Sequence, residues 1–255
     1  MKRKVIAVLI LIISFIFGGC SYRDKLYTTD FYTVFLDKDF ATVLELTEKG
    51  KEQKEIIITS EIMGKPVLKL GKAYIARTER FESEKLKKVY IPETVISIRD
   101  DMFICENLEE IYINSNSFNN KLKIMSFMGL GISSIQVEMK KVKFFIPKLS
   151  FESIKEEILE RYRYMVNPSN LSFNYNYEDS PNEGYYFIDN LSETGKIRNP
   201  DNPKREGYAF VSWYLEPEFK NEWDFENDEV IIEKDGEGNL IYSETILYAR
   251  WARID

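Results

Sequence analysis

Two strings in this chain, Leu86-Lys87-Lys88-Val89-Tyr90-Ile91 and Leu108-Glu109-Glu110-Ile111-Tyr112-Ile113, match position by position. Their offset of 22 residues falls in the period range of stacked coils, where each turn exposes an apolar face that only its neighbours can cover. Ile56-Ile57-Ile58 and Phe144-Phe145-Ile146 answer them, each a short apolar strand preceded by charge. Repetition of this kind outranks local propensity, and it commits the first part of the chain to ladders of buried leucine and isoleucine.

Composition narrows the chemistry. The chain has 255 residues and no histidine. That removes imidazole as general base and metal ligand, and with it most hydrolytic triads and zinc sites. No glycine-rich phosphate cradle, nucleophile elbow or paired cysteine motif is present. The expectation is a protein without catalytic activity, cofactor or metal.

The N-terminus reads as a targeting segment, residues 1–19. Lys2, Arg3 and Lys4 precede an apolar run over residues 5–17, short of the roughly 20 residues that span a bilayer. Phe17-Gly18-Gly19-Cys20 follows and resembles the lipobox of bacterial lipoproteins. The resemblance implies a diacylglyceryl group on the Cys20 thiol, and two acyl chains suffice for stable anchoring. Removing residues 1–19 takes three of the 35 basic residues and none of the 42 acidic ones, leaving 32 against 42 and a formal charge of −10. Such a surface repels nucleic acid, which is not expected as a partner. Residues 20–30 read as a tether. Cys105, the remaining cysteine, sits in an apolar stretch and reads as a structural thiol.

Between the two matched strings run Ile91-Pro92-Glu93-Thr94-Val95-Ile96-Ser97-Ile98 and Asp101-Met102-Phe103-Ile104-Cys105-Glu106-Asn107-Leu108. Together they resemble the BspA-like leucine-rich repeat, with Met102 in place of the usual alanine and a shorter gap between Phe103 and Cys105. Weaker echoes flank them, including Ile132-Ser133-Ser134-Ile135. A leucine-rich domain is expected over residues 31–166. Tyr32 to Leu36 and Thr42 to Leu46 read as paired strands around Asp37, Lys38 and Asp39. Ile154, Ile158, Tyr162 and Met165 fall at helical spacing after Ser150, with Ser153 and Glu156 as a capping box, and predict a helix that closes the coil.

Asn167-Pro168-Ser169-Asn170 breaks this pattern, and a second domain is expected over residues 172–255. Phe173, Tyr175 and Tyr177 alternate with polar residues, and residues 185–188 form another strand. Pro203-Lys204-Arg205-Glu206-Gly207-Tyr208-Ala209-Phe210-Val211-Ser212-Trp213-Tyr214 and the closing Leu247-Tyr248-Ala249-Arg250-Trp251 resemble the Listeria-Bacteroides, or internalin B-repeat, family. Ser212 stands where glycine is usual. Asp235-Gly236-Glu237-Gly238-Asn239 has the look of a calcium loop, but its glycine falls too early and Ile246 stands where a bidentate glutamate belongs. It reads as a hairpin turn.

The predicted fold class is α+β, mostly β: a short leucine-rich-repeat coil with a capping helix, then a small β-grasp-like domain. Both resemblances imply extracellular, non-enzymatic modules. The expected function is a lipid-anchored recognition protein on the outer face of a bacterial cell membrane, binding a protein or glycan in adhesion. Its alternatives are a self-associating envelope protein and a carbohydrate-binding surface subunit. Tyr90 and Tyr112 are candidate contact residues, although the same spacing fits tyrosines that cover strand ladders. Most aromatics of the second domain read as core, with Tyr214 and Trp223 as the candidates for an exposed platform.

Overall fold

The computed structural model describes residues 25–71, 79–99, 102–115, 142–156 and 165–254. Cys20 with the residues read as a targeting segment, the echo at residues 132–135, and Ile158 and Tyr162 lie outside them. Among the described residues strands are the main regular structure, with two short α-helices. No helix among them is long and apolar enough to cross a membrane.

The matched strings stack as the repeat requires. Glu55–Ile57, Lys88–Ile91, Glu110–Ile113 and Lys143–Ile146 lie side by side in one parallel sheet, and Val166–Pro168 adds a fifth strand. Lys88 pairs with Glu110 and Ile91 with Ile113, which is the register of the sequence match. Opposite charges mark that register: Lys87 Nζ lies 2.6 Å from Glu109 Oε1, and Lys88 Nζ 2.8 Å from Glu110 Oε2. These pairs are half-exposed and worth little in stability, but a slip by one residue would break one of them and turn the strand's apolar set to the other face.

Two further parallel pairings among the described residues flank this sheet. Lys65–Leu70 pairs in parallel with Ser97–Ile98 on a second side, and Phe81–Glu82 with Phe103–Ile104 on a third. Between the three sides lies one core that includes Ile56, Val89, Ile91, Ile111, Ile113, Leu70, Leu86 and Phe81. Leu86 and Leu108, the repeat's leading leucines, both point into it. Cys105 packs at its margin, where its thiol donates to the Phe81 carbonyl at 3.4 Å. Burial pushes that thiol up to about 12, so it stays protonated and unreactive at neutral pH.

The N-terminal end of the coil is closed by strands. Tyr32–Leu36 and Ala41–Leu46 form the expected antiparallel pair, and Ala41–Leu46 runs parallel to Lys65–Leu70. Leu26–Thr28, read as tether, instead pairs with Thr33 to Phe35 as an edge strand. At the other end a helix spans Lys148–Ile154 and buries Ser150 and Ile154. It starts earlier than the spacing predicts and after Pro147, without a side-chain cap. Ser153 does not cap it, because its hydroxyl donates to the Ser150 carbonyl from inside the helix.

Val166–Pro168 crosses the segment read as a break, and the chain then enters a second sheet directly at Leu171–Asn174. This four-stranded sheet has the order Tyr185–Asp189, Leu171–Asn174, Thr245–Arg253, Tyr208–Tyr214. Its central pair is parallel and both outer pairs are antiparallel. The register against the neighbouring strand shifts between Phe210 and Ser212, so the strand carries an irregularity at that point. Glu233–Lys234 and Leu240–Ile241 form the expected hairpin. Asp235 closes its turn by accepting from the backbone amides of Glu237 and Asn239, both at 2.8 Å.

Leu86 is fully buried under the ladder. Leu86→Ala should lower unfolding free energy by about 2–5 kcal/mol in chemical denaturation, whereas a change below 1 kcal/mol would mean that the coil core is not the source of stability.

Candidate functional site at the domain junction

Alternation along the parallel strands decides what faces outward. Val89 and Ile91 turn inward, so Tyr90 between them turns out; Ile111 and Ile113 place Tyr112 likewise, and Phe144 and Ile146 place Phe145. In-register pairing then aligns the three rings in one column. Tyr90 and Tyr112 stack with centroids 4.5 Å apart and planes 10° apart. Tyr112 and Phe145 stack at 5.0 Å and 19°. These distances are close to the strand spacing of a β-sheet, so each ring rides directly on its neighbour.

The column is covered by the second domain. Phe187, on the strand Tyr185–Asp189, extends the stack at 5.3 Å from Tyr90. Tyr185 and Ile188 of the same strand complete a separate buried cluster with the three column rings. Tyr90 and Tyr112 are 3 % and 1 % exposed. The two candidate contact residues therefore form the surface on which the C-terminal domain sits, and they also border the cavity beside that contact.

Polar groups border the aromatic contact. The Tyr90 hydroxyl donates to Asp189 Oδ1 at 3.1 Å, and the backbone amide of Asn190 donates to the same oxygen at 2.8 Å. Arg198 lies over the Tyr90 ring, 4.9 Å from its centroid. Its guanidinium pairs with Glu55 of the first strand, and its Nε lies 4.0 Å from Asp189 Oδ2. Burial is the main influence on the Asp189 carboxyl and raises it, against the Asn190 amide and Arg198, which pull it down. Burial likewise pushes the Tyr90 and Tyr112 phenols far above the ordinary value of 10.0. Asn114 Nδ2 donates to the Tyr186 carbonyl at 2.5 Å, Asn182 Nδ2 returns a bond to the Asn114 carbonyl at 3.0 Å, and Lys148 pairs with Glu244.

Beside this contact a cavity of 340 Å³ opens between the domains. Its walls are aromatic and proline-rich, with Tyr175 and Tyr186 meeting edge to face at 5.3 Å. Glu93, Asn114, Asp201 and Lys204 bring polar atoms to it. That volume is near the lower end of the range of about 300–1,000 Å³ for ligand sites, which favour such junctions. Glu93 follows the proline of the repeat, and nothing in its local string marked it. Its partners in the cavity lie far along the chain, as do those of Arg198 and Asp189.

The remaining candidates are interior. Tyr214 is 4 % and Trp223 5 % exposed, so neither offers a platform. Trp223 sits in the second core with Phe173, Trp213 and Leu247. It is drawn in by a backbone bond of 2.8 Å from its amide to the Trp213 carbonyl. The Tyr214 hydroxyl accepts from Arg250 at 3.1 Å. The motif arginine, Arg205, is also consumed by packing, since its guanidinium lies 3.8 Å from the Tyr208 and 4.0 Å from the Tyr177 ring centroid. Among the described residues no three acidic or cysteine side chains gather to hold a metal ion.

A phenol raised by folding holds its proton more tightly when folded. Its stabilising contribution is complete below the ordinary value of 10.0 and is lost as pH rises through the folded value. Stability should therefore decline above about pH 10, and the decline should be shallower in the double variant Tyr90→Phe, Tyr112→Phe. Denaturant unfolding across that range checks it. An unchanged slope would mean that the two rings are solvated.

A family model, the Listeria-Bacteroides repeat domain, matches residues 170–237, the segment that runs from the first strand of the second sheet into its hairpin. No curated protein and no solved structure matches the chain.

Proposed function

We propose that this is a lipid-anchored recognition protein of a bacterial cell surface, without catalytic activity, whose two domains act as a single rigid body. The parallel sheet with its two flanking sides is read as a BspA-like leucine-rich-repeat coil, and the mixed four-stranded sheet as a β-grasp-like domain. Support for a surface location comes from the match over residues 170–237, because that repeat is a cell-surface domain. The acidic mature chain and the lipobox string ending at Cys20 agree with it.

One observation carries the recognition reading: the coil's aromatic face is closed by the second domain, and a partly open cavity is left at the seam. Residues that read as an open binding face hold the protein together, and the cavity is where a ligand finds concave aromatic surface with polar groups. Recognition at this seam draws on both domains, so neither module alone would bind. Many tethered copies on one cell would add avidity.

Two measurements test this. Cells supplied with radiolabelled fatty acid should label the wild-type protein and leave Cys20→Ala unlabelled; equal labelling of both would remove the anchor. The full-length protein, arrayed against matrix proteins, glycans and itself, should bind a matrix protein or glycan. Self-association alone would assign it instead to a structural role in the envelope.

A further inference from the structure

Glu93 is the unusual group in the seam. It lines the cavity from the loop after Lys88–Ile91, and among the described residues no ion pair or side-chain hydrogen bond to another residue is seen for it. Burial raises its carboxyl, with only its own backbone amide opposing. A half-buried carboxylate without a counter-charge is costly to keep, and a fold retains one where something outside the chain compensates it. Glu61 and Asp201 add two further acidic groups to the lining, against Lys204 as the single cation among the described lining residues. Lys204 is exposed on the rim.

The rest of the cavity suits the same occupant. Tyr175 and Tyr186 present phenol rings and oxygens, which attract positive charge. Both phenols are raised first by burial; the negative charge of Glu93 raises Tyr175 further, and the charges of Asp201 and then Glu93 raise Tyr186. Asn114, 5 % exposed, lines the cavity and its Oδ1 has no hydrogen-bond partner, which leaves an acceptor to be satisfied. A phosphate or carboxylate would meet three acids, and a neutral sugar would leave Glu93 uncompensated.

We propose that the seam captures an alkylammonium group, with Glu93 as its counter-charge and Tyr175 and Tyr186 as its walls. The group is either a lysine side chain presented by a protein or a small free amine. The proposal deepens the recognition reading of the seam and rests on it for its biological setting only: loss of lipidation would leave amine binding intact, and loss of amine binding would leave lipidation intact.

Isothermal titration of the full-length protein with cadaverine and with Nα-acetyl-lysine methylamide tests it. Saturable binding is expected, with no heat from Nε-acetylated lysine methylamide or from glucose. Binding of both amines points to a presented lysine, and binding of cadaverine alone to a free amine. Glu93→Gln should weaken binding at least about tenfold while leaving the thermal midpoint unchanged or higher, because it removes a desolvated charge and keeps the shape. Should that variant fold poorly, Asp201→Asn on the rim is expected to weaken binding several-fold. Equal binding by wild type and Glu93→Gln, a preference for glucose, or no binding by folded wild type would each overturn the assignment.

Discussion

The stack of Phe145, Tyr112, Tyr90 and Phe187 is the interaction on which the architecture depends. Three of its rings come from successive turns of one sheet and the fourth from a different domain. Each of the first three rings is held by the alternation of its own strand, because its neighbours on either side are committed to the coil core. The column therefore has no freedom to turn inward, and water exclusion requires that something cover it. The C-terminal domain does so, and Tyr90, Asp189, Arg198 and Glu55 satisfy the polar edge of the contact.

Packing at this junction changes what the repeats are for. A row of stacked aromatics on a parallel sheet would serve as a binding face if left open, and here it becomes an internal surface. Burial stiffens the passage between the domains, which already lacks a linker: Val166–Pro168 ends the first sheet and Leu171–Asn174 begins the second. Asn170, in the turn between them, is fixed to the second domain, its side chain accepting from the Leu191 amide at 2.8 Å and its carbonyl from the Thr245 amide at 2.8 Å. The seam beside the column is then a fixed feature of the molecule, with both domains contributing to its walls.

Much of the scaffold was legible in the residues. The offset between Lys87 and Glu109 is the pairing register of the sheet, because in a stacked coil sequence period and spatial neighbour are the same thing. The antiparallel pair around Asp37 and the hairpin around Asp235 followed from local turn chemistry. The site was much less legible. Tyr90 and Tyr112 were visible as a pair, but their burial depends on Phe187, which no local pattern links to them. Trp223 and Tyr214 stand out as platform candidates in the sequence because no local signal shows that the chain after Tyr214 folds back onto Trp213. Glu93, Arg198 and Asp189 carry ordinary local strings, and only the tertiary fold brings them to one seam.

Unfolding followed by two signals tests the central claim most directly. All three tryptophans, Trp213, Trp223 and Trp251, lie in the C-terminal domain, so their fluorescence reports that domain, whereas far-ultraviolet circular dichroism reports both. If the aromatic column unites the domains, the two signals should trace one coincident transition in the wild-type protein and separate in Tyr112→Ala. Transitions already separated in the wild type would show that the domains fold independently and that the column does not bind them together.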